Sequence, residues 1–364
     1  MSVNARTVRP CGEKQVSVDE NPDGRRRPTM MDVAGMAGVS QATVSLVLNG
    51  SAGARLTPAT RRRVKEAAET LGYEFVRRGS RSKSGVPSTI IFIADESTTD
   101  PWMALAFEGA RDKALELGIN TFMTVSHGDA DIEAMIVTHF GRFPVLGFLY
   151  GTTLTRLVHL PLVLSTQRTV LVNCYDKTGE LASVLPADLP GGRTATERLL
   201  QSGCRRIGFI NGQQGVDASR DRLQGYKQAL SSYQVPFDPR LVRSGNWEPS
   251  SGYEMTRDLM TQGNPPDAIF CANDMMALGC FDALNELGIK VPDDLSVIGF
   301  DDREIAQQTH PPLTTILLPH YEMGAIAAQE LIDGAGRAFG RVSQMKVHCP
   351  LVERQSVIGK AADQ

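Results

Sequence analysis

The apolar positions of this chain follow two rhythms, and the change between them divides it. From Thr29 to Tyr73 they keep a helical period. Met31, Val33, Ala34 and Ala37 line one face of a first short helix, and Val44, Val47 and Leu48 fall at i, i+3 and i+4 on a second. Gly38 between them can take the left-handed conformation that a sharp helix stop needs. Ser40 then stands where a cap accepts a hydrogen bond from an exposed amide. After a loop over residues 50–56, Thr57 and Pro58 open a third helix, whose stripe of Val64, Ala67, Ala68 and Leu71 ends at Gly72. The pattern predicts an all-α, three-helix head of helix-turn-helix form, with Gln41, Ala42, Thr43, Ser45 and Leu46 on the faces its core leaves free.

Beyond Thr89 short apolar runs alternate with amphipathic stretches. Strands are predicted at 90–94, 121–125, 145–150, 169–173, 206–210, 268–271 and 295–300, and helices at 104–117, 131–139, 192–201, 222–231 and 274–287. Such alternation means parallel, doubly wound α/β sheets with helices on both faces. Some 270 residues of it make two lobes, with a cleft at the carboxyl ends of their strands. The boundaries that follow are an arm over 1–27, the head over 28–73, a basic Gly/Ser linker over 74–87, the two-lobed body over 88–356 and a tail over 357–364.

Composition sharpens this picture in three places. Residues 1–85 hold 15 Lys+Arg against 8 Asp+Glu, and the rest holds 23 against 33, a basic head on an acidic body that fits a polyanionic partner for the head alone. No apolar run approaches the roughly 18 residues of a membrane helix, and no secretory signal follows Arg6 and Arg9, so a cytoplasmic protein without membrane contact is expected. The six cysteines are scattered with no Cys-x-x-Cys pair, which suits reduced thiols rather than a zinc site.

The run Asp-Val-Ala-x-x-Ala-Gly-Val-Ser-x-x-Thr-Val-Ser-x-x-Leu-Asn, from Asp32 to Asn49, resembles the DNA-binding signature of the lactose-repressor/galactose-repressor (LacI/GalR) family. Four stretches of the body resemble the periplasmic-binding-protein-like effector domain of the same family, in the same order: Arg222-Leu223-Gln224-Gly225-Tyr226, the run from Phe270 to Gly279, Ile298-Gly299-Phe300-Asp301-Asp302, and Pro311-Pro312-Leu313-Thr314-Thr315-Ile316. The resemblance implies a homodimeric, ligand-responsive transcriptional regulator, a repressor, on a near-palindromic double-stranded operator. Its DNA contacts would come from Thr29, Ser40, Gln41, Ala42, Thr43, Ser45, Leu46 and Asn49. Arg77 and Arg78 in the linker would touch phosphates. Two departures stand out. The family's Pro-Asn pair and hinge helix are replaced by Phe75-Val76-Arg77-Arg78-Gly79-Ser80-Arg81, which has poor helix propensity and no leucine wedge. The family often has arginine where this chain has Leu46, and leucine can pack on a thymine methyl but cannot make a bidentate guanine contact.

The family positions matching Arg222, Asn273 and Asp301 commonly line the effector pocket, and Trp247 lies in a loop resembling one whose tryptophan stacks on the ligand. A guanidinium fork and a carboxylate suit vicinal sugar hydroxyls, and aromatic faces suit sugar C–H surfaces. Trp102, heading the first body helix, and Asn173, ending a strand, are placed to reach the same cleft. Asn273 or Asp274 could instead cap its helix, the latter fitting that role better. The effector class is therefore a sugar, with a nucleobase-responsive repressor and a sugar-binding transport protein as rivals. No catalytic residue, cofactor or metal is implied: the chain lacks Gly-x-Ser-x-Gly, His-Glu-x-x-His and a Gly-Lys-Ser/Thr loop, and its six histidines lack ligand spacing.

Overall fold

The computed structural model describes residues 28–48, 56–73, 89–97, 101–334 and 344–359. Asn49, Arg77 and Arg78, the arm over 1–27 and the linker over 74–87 lie outside the described residues.

The head is built from α1 (Met30–Ala37), α2 (Gln41–Leu48) and α3 (Pro58–Leu71). Thr29 and Asp32 form a reciprocal capping box at the start of α1. Gly38 ends that helix at φ 61°, ψ 46°, and the Ser40 hydroxyl accepts from the Thr43 amide at 3.2 Å. Thr57 caps α3 and Gly72 closes it, again left-handed. The head core holds Val33, Ala34, Ala37, Val44, Val47, Val64, Ala67 and Ala68. Met30 fills the place expected of Met31, because with α1 starting at Met30 it stands three and four residues before Val33 and Ala34 and shares their face.

The first lobe contributes β1 (Thr89–Ala94), α4 (Trp102–Leu115), β2 (Asn120–Val125), α5 (Ala130–Phe140), β3 (Val145–Val158), α6 (Leu162–Ser165), β4 (Thr169–Asp176) and β5 (Ala182–Pro186). The second contains α7 (Asp188–Gln201), β6 (Ile207–Asn211), α8 (Asp217–Ser232), β7 (Val242–Ser244), α9 (Pro249–Met260), β8 (Ala268–Cys271), α10 (Asp274–Glu286) and β9 (Ser296–Ile298). The chain then passes through β10 (Thr315–Ile316) into the first lobe with α11 (His320–Asp333) and β11 (Gln344–Val347), and returns through β12 (Leu351–Val352), which pairs antiparallel with β10. The two parallel sheets run β11-β5-β4-β3-β1-β2 and β7-β6-β8-β9. Apolar clusters cover both faces of the larger sheet, and one extended cluster fills the second lobe.

Arg222 lies in the second turn of α8 rather than at its start, because α8 begins at Asp217. β3 runs eight residues past 150, and the strand expected over 295–300 is paired only from Ser296 to Ile298. Val357 is buried in the second-lobe core, and the Ile358 amide donates to Ser296 Oγ at 3.2 Å, so ordered lobe continues past 356.

Two close helix crossings set the frame of the body. At α4–α11, a Cβ added to Gly324 would meet the Ala106 carbonyl oxygen at 1.8 Å. At α7–α8, a Cβ on Gly192 would meet the Arg222 Cα at 2.8 Å, so that glycine decides how near Arg222 comes to α7. Among the described residues no single helix is long and apolar enough to cross a membrane.

Candidate functional site

The strand ends of the second lobe carry a buried, charged and aromatic cluster centred on Arg222. Its Nε donates to Asp188 Oδ1 at 2.8 Å and its Nη1 to the Ala272 carbonyl at 2.5 Å, and Nη1 lies 3.7 Å from Asp301 Oδ1. The guanidinium carbon sits 3.6 Å above the Phe300 ring and 5.6 Å from that of Trp247. Arg222, Asp188 and Asp301 are all buried. A guanidinium lodged between a carboxylate pair and two aromatic faces keeps its fork fixed, and its charge is weakly screened there. Burial pushes the Asp188 carboxyl upward, against the pull of Arg222.

Asp301 leads onward. Arg303 Nε lies 3.7 Å from Asp301 Oδ2, and the Arg303 guanidinium covers the Trp102 ring at 4.9 Å. Trp102 in turn stacks on His320, with centroids 5.0 Å apart and planes 10° from parallel. Five of the six residues expected from sequence thus belong to one connected group: Trp247, Arg222, Asp301 and Trp102 by these contacts, and Asn273 because its Nδ2 donates to the Trp247 carbonyl at 2.9 Å. Asn173 does not join it. Its amide donates to the carbonyls of Thr152 and Thr153 and its Oδ1 accepts from Thr155, which ties it to the overhanging end of β3.

The helix-capping alternative resolves in favour of Asn273, whose Oδ1 accepts from the Met276 amide at 2.8 Å. Asp274 instead accepts from Thr315 Oγ1 at 2.6 Å and from the Arg303 amide at 2.8 Å. It therefore clamps the loop that bears Asp301 to the crossing strand, and burial, with Asp301 nearby, raises its carboxyl well above the usual range.

Backbone strain and unpartnered polar atoms occur within this group and close to it. Trp247, Asp301 and Asp302 hold φ of 73°, 113° and 55°, and Asn173 holds 59°. Side chains rarely adopt such values unless the surroundings impose them, and these values cluster at functional sites. The buried Trp247 Nε1, the Ser219 hydroxyl and both ring nitrogens of His320 lack a hydrogen-bond partner, although most buried polar atoms in folded proteins have one. Burial first, then Arg222 and Arg303, lowers the His320 ring to about 3, so the imidazole is neutral. One nitrogen of a neutral ring donates and the other accepts.

Asp188, Arg303 and His320 carry no sequence signal that would place them in this group. Asp188 lies 34 residues from Arg222 in the chain, and His320 follows Leu317-Leu318-Pro319 with no periodicity. The lobes meet across the cleft mouth, where Tyr175 Oη donates to Asp217 Oδ2 at 2.6 Å. Among the described residues no group of His, Cys, Asp and Glu could hold a metal ion.

The head rests against α4 and α11. Leu46 is 39% exposed, but Ser40, Gln41, Thr43 and Ser45 are buried, whereas the amphipathic pattern expects Gln41, Thr43 and Ser45 to face outward. Part of the reason is local, since Thr43 Oγ1 lies 3.0 Å from Ser40 Oγ inside the cap. Part is tertiary: Gln41 Nε2 donates to both carboxylate oxygens of Glu322 at 2.5 Å.

Comparison with known proteins agrees at both ends. Residues 29–74 match the model of bacterial regulatory proteins of the lacI family, and residues 196–357 match that of the periplasmic binding protein-like domain. The HTH-type transcriptional regulator CelR of Thermobifida fusca is 33% identical over 85% of this chain and 92% of its own length. The HTH-type transcriptional repressor CytR of Escherichia coli (strain K12) is 32% identical over 90% and 96%, and the ribose operon repressor of Haemophilus influenzae is 30% identical over 84% and 91%. Among solved structures, a transcriptional regulator CelR–cellobiose complex is similar at 31% identity and a TM-score of 0.63, with 91% of this chain and all of that chain covered.

Proposed function

The chain belongs to the LacI family of bacterial transcriptional regulators, and from that premise we propose that it is a cytoplasmic, homodimeric repressor of carbohydrate uptake or metabolism genes whose effector is a sugar. Its relatives are regulators rather than enzymes. The observation that carries the sugar assignment is the buried Trp247–Arg222–Asp301 group. A fixed guanidinium fork and a carboxylate are matched to adjacent hydroxyls, the Trp247 indole supplies an apolar face, and its unpartnered Nε1 is one more donor for a polyol oxygen. That the CelR structure holds cellobiose supports the same class here.

In this reading the head carries the operator contacts, with α2 entering the major groove and Gln41, Ala42 and Leu46 nearest the bases; Asn49, Arg77 and Arg78 add flanking contacts. Two heads would read half-sites about one helical turn apart. The sugar binds between the lobes, and its differential affinity for two lobe arrangements changes the affinity of the heads for DNA.

The test uses Trp102 and Trp247, the only two tryptophans. Fluorescence titration with cellobiose, ribose and a purine base should give a saturable change with a sugar, and Asp301→Asn should weaken it by about tenfold or more, since a charged acceptor is exchanged for a neutral amide of the same shape. Asparagine tolerates positive φ, so the backbone at 301 is kept. A response to the purine alone, or an Asp301→Asn protein with unchanged affinity, overturns the sugar reading.

A further inference from the structure

Three consecutive residues in the first turn of α11 face two different parts of the molecule. His320 lies against Trp102 in the effector group. Tyr321 joins the apolar core of the head, and its hydroxyl donates to Asp112 Oδ2 on α4 at 3.0 Å. Glu322 holds the side-chain amide of Gln41 with both carboxylate oxygens. Tyr73, just past the end of α3, packs against the same apolar cluster. The seat is thus apolar at its centre and charge-assisted at its rim, as in interfaces that bind specifically.

The same seat covers the face of α2 that would read DNA. Gln41 is 4% exposed and Ser45 5%. Between the outer side of α2 and the body lies a cavity of about 590 Å³ whose walls include Ser45, Leu46, Trp102, Leu105, Asp301 and Arg303. One wall is the reading helix and the opposite wall belongs to the effector group. The carboxylate that reaches across to the head is Glu322, since Glu108 and Asp112 on α4 are already paired with Arg111 of the same helix.

We propose that the α4–α11 face of the first lobe is a docking site for this chain's own head, and that the docked arrangement is an autoinhibited state in which Glu322 occupies the Gln41 amide in place of a base edge. DNA and Glu322 then compete for one side chain, and undocking precedes operator binding. Effector and head share the first turn of α11, so a ligand that shifts Trp102 or His320 acts on Tyr321 and Glu322 directly. The proposal rests on the reading of the head as the DNA-binding unit.

The test uses the full-length protein. Glu322→Gln keeps the side-chain shape and removes the charge that grips Gln41, and operator affinity in gel-shift titrations should rise about fivefold or more, within the range of ordinary coupling energies. A Gln41→Cys/Glu322→Cys protein should form a disulfide within one chain on oxidation, located by peptide mapping, and should lose operator binding until reduced. Unchanged operator affinity in Glu322→Gln overturns the proposal. So does a disulfide that fails to form, or one that joins two chains, which would seat the head on the partner instead. The crosslink does not depend on DNA, so docking is tested separately from the reading of the head: that reading fails if the unmodified protein and Glu322→Gln both leave every operator fragment unshifted at low salt.

Discussion

Trp247 is held in place by what is missing beside it. Its ring lies against the backbone of Gly212, where an added Cβ would come within 2.1 Å of two ring atoms, and its own φ of 73° is fixed by the loop and by the Asn273 amide on its carbonyl. Gly212→Ala therefore has to push the indole away from Arg222. Sugar affinity in a fluorescence titration should fall about tenfold or more, while operator affinity without ligand stays the same; an unaffected titration would detach Trp247 from the site. His320 makes a second claim at this scale, through pH. Its ring is depressed from an ordinary 6.5 to about 3, chiefly by burial. The unfolded chain takes up this proton first, so the contribution to stability is complete above about pH 6.5 and falls as pH drops towards 3, with a slope of at most about 1.4 kcal/mol per pH unit. His320→Phe keeps an aromatic face against Trp102 and removes the slope. In urea unfolding from pH 7 to pH 4, the stability gap between the two proteins should move steadily in favour of the variant on acidification. A constant gap would mean that the folded ring takes up its proton at the same pH as the unfolded chain does.

At the scale of elements the close crossings decide geometry. α4 and α11 approach until backbone touches backbone at Gly109 and Gly324, and α11 carries His320, Tyr321 and Glu322 at its head. Gly324→Val forces these helices apart, an overpacking that costs about 1–3 kcal/mol, and the thermal midpoint should drop while the head's own three-helix core stays intact by amide exchange. An unchanged midpoint would mean that the helices part without cost. Much at this scale was legible in sequence, because buried parallel strands such as Ile90–Ala94 are continuous apolar runs and capped helices such as α1 and α3 announce both ends. α9 was not legible for a physical reason: its buried face is Ser251, Gly252, Thr256 and Leu259, small or polar, so no hydrophobic stripe marks it. α11 buries Tyr321, Met323, Gly324, Ala327, Ala328 and Leu331, and it lies beyond the alternation of strands and helices that ends near residue 300. The group around Arg222 was half legible. Residues at strand ends, Asp301 and Asn273, fall where a doubly wound sheet places them, but the partners that fix them, Asp188 to Arg222 and Arg303 to Trp102, come from distant segments joined only by the lobe crossings.

For the whole molecule the question is which arrangement of the lobes is stabilised, and by how much. The Tyr175–Asp217 hydrogen bond joins the end of β4 in one lobe to the start of α8 in the other, so it exists only while the lobes are this close. Asp217 is also gripped by Arg220, which leaves the carboxylate oriented whether or not Tyr175 is present. Removing the phenol hydroxyl therefore takes away one interlobe contact and strands little else. Such a hydrogen bond at a partly exposed site is worth about 0.5–1.5 kcal/mol, and the closed arrangement would lose about two- to tenfold in population relative to an open one. A ligand that is enclosed by both lobes has to supply that difference from its own binding energy. Tyr175→Phe should accordingly weaken sugar affinity by about the same two- to tenfold, and solution scattering of the ligand-free protein should show a larger radius of gyration. The two effects are linked by one equilibrium, so their sizes should agree. Weakened affinity without expansion would make Tyr175 a direct ligand contact, and expansion without weakened affinity would mean that the sugar is held by the second lobe alone.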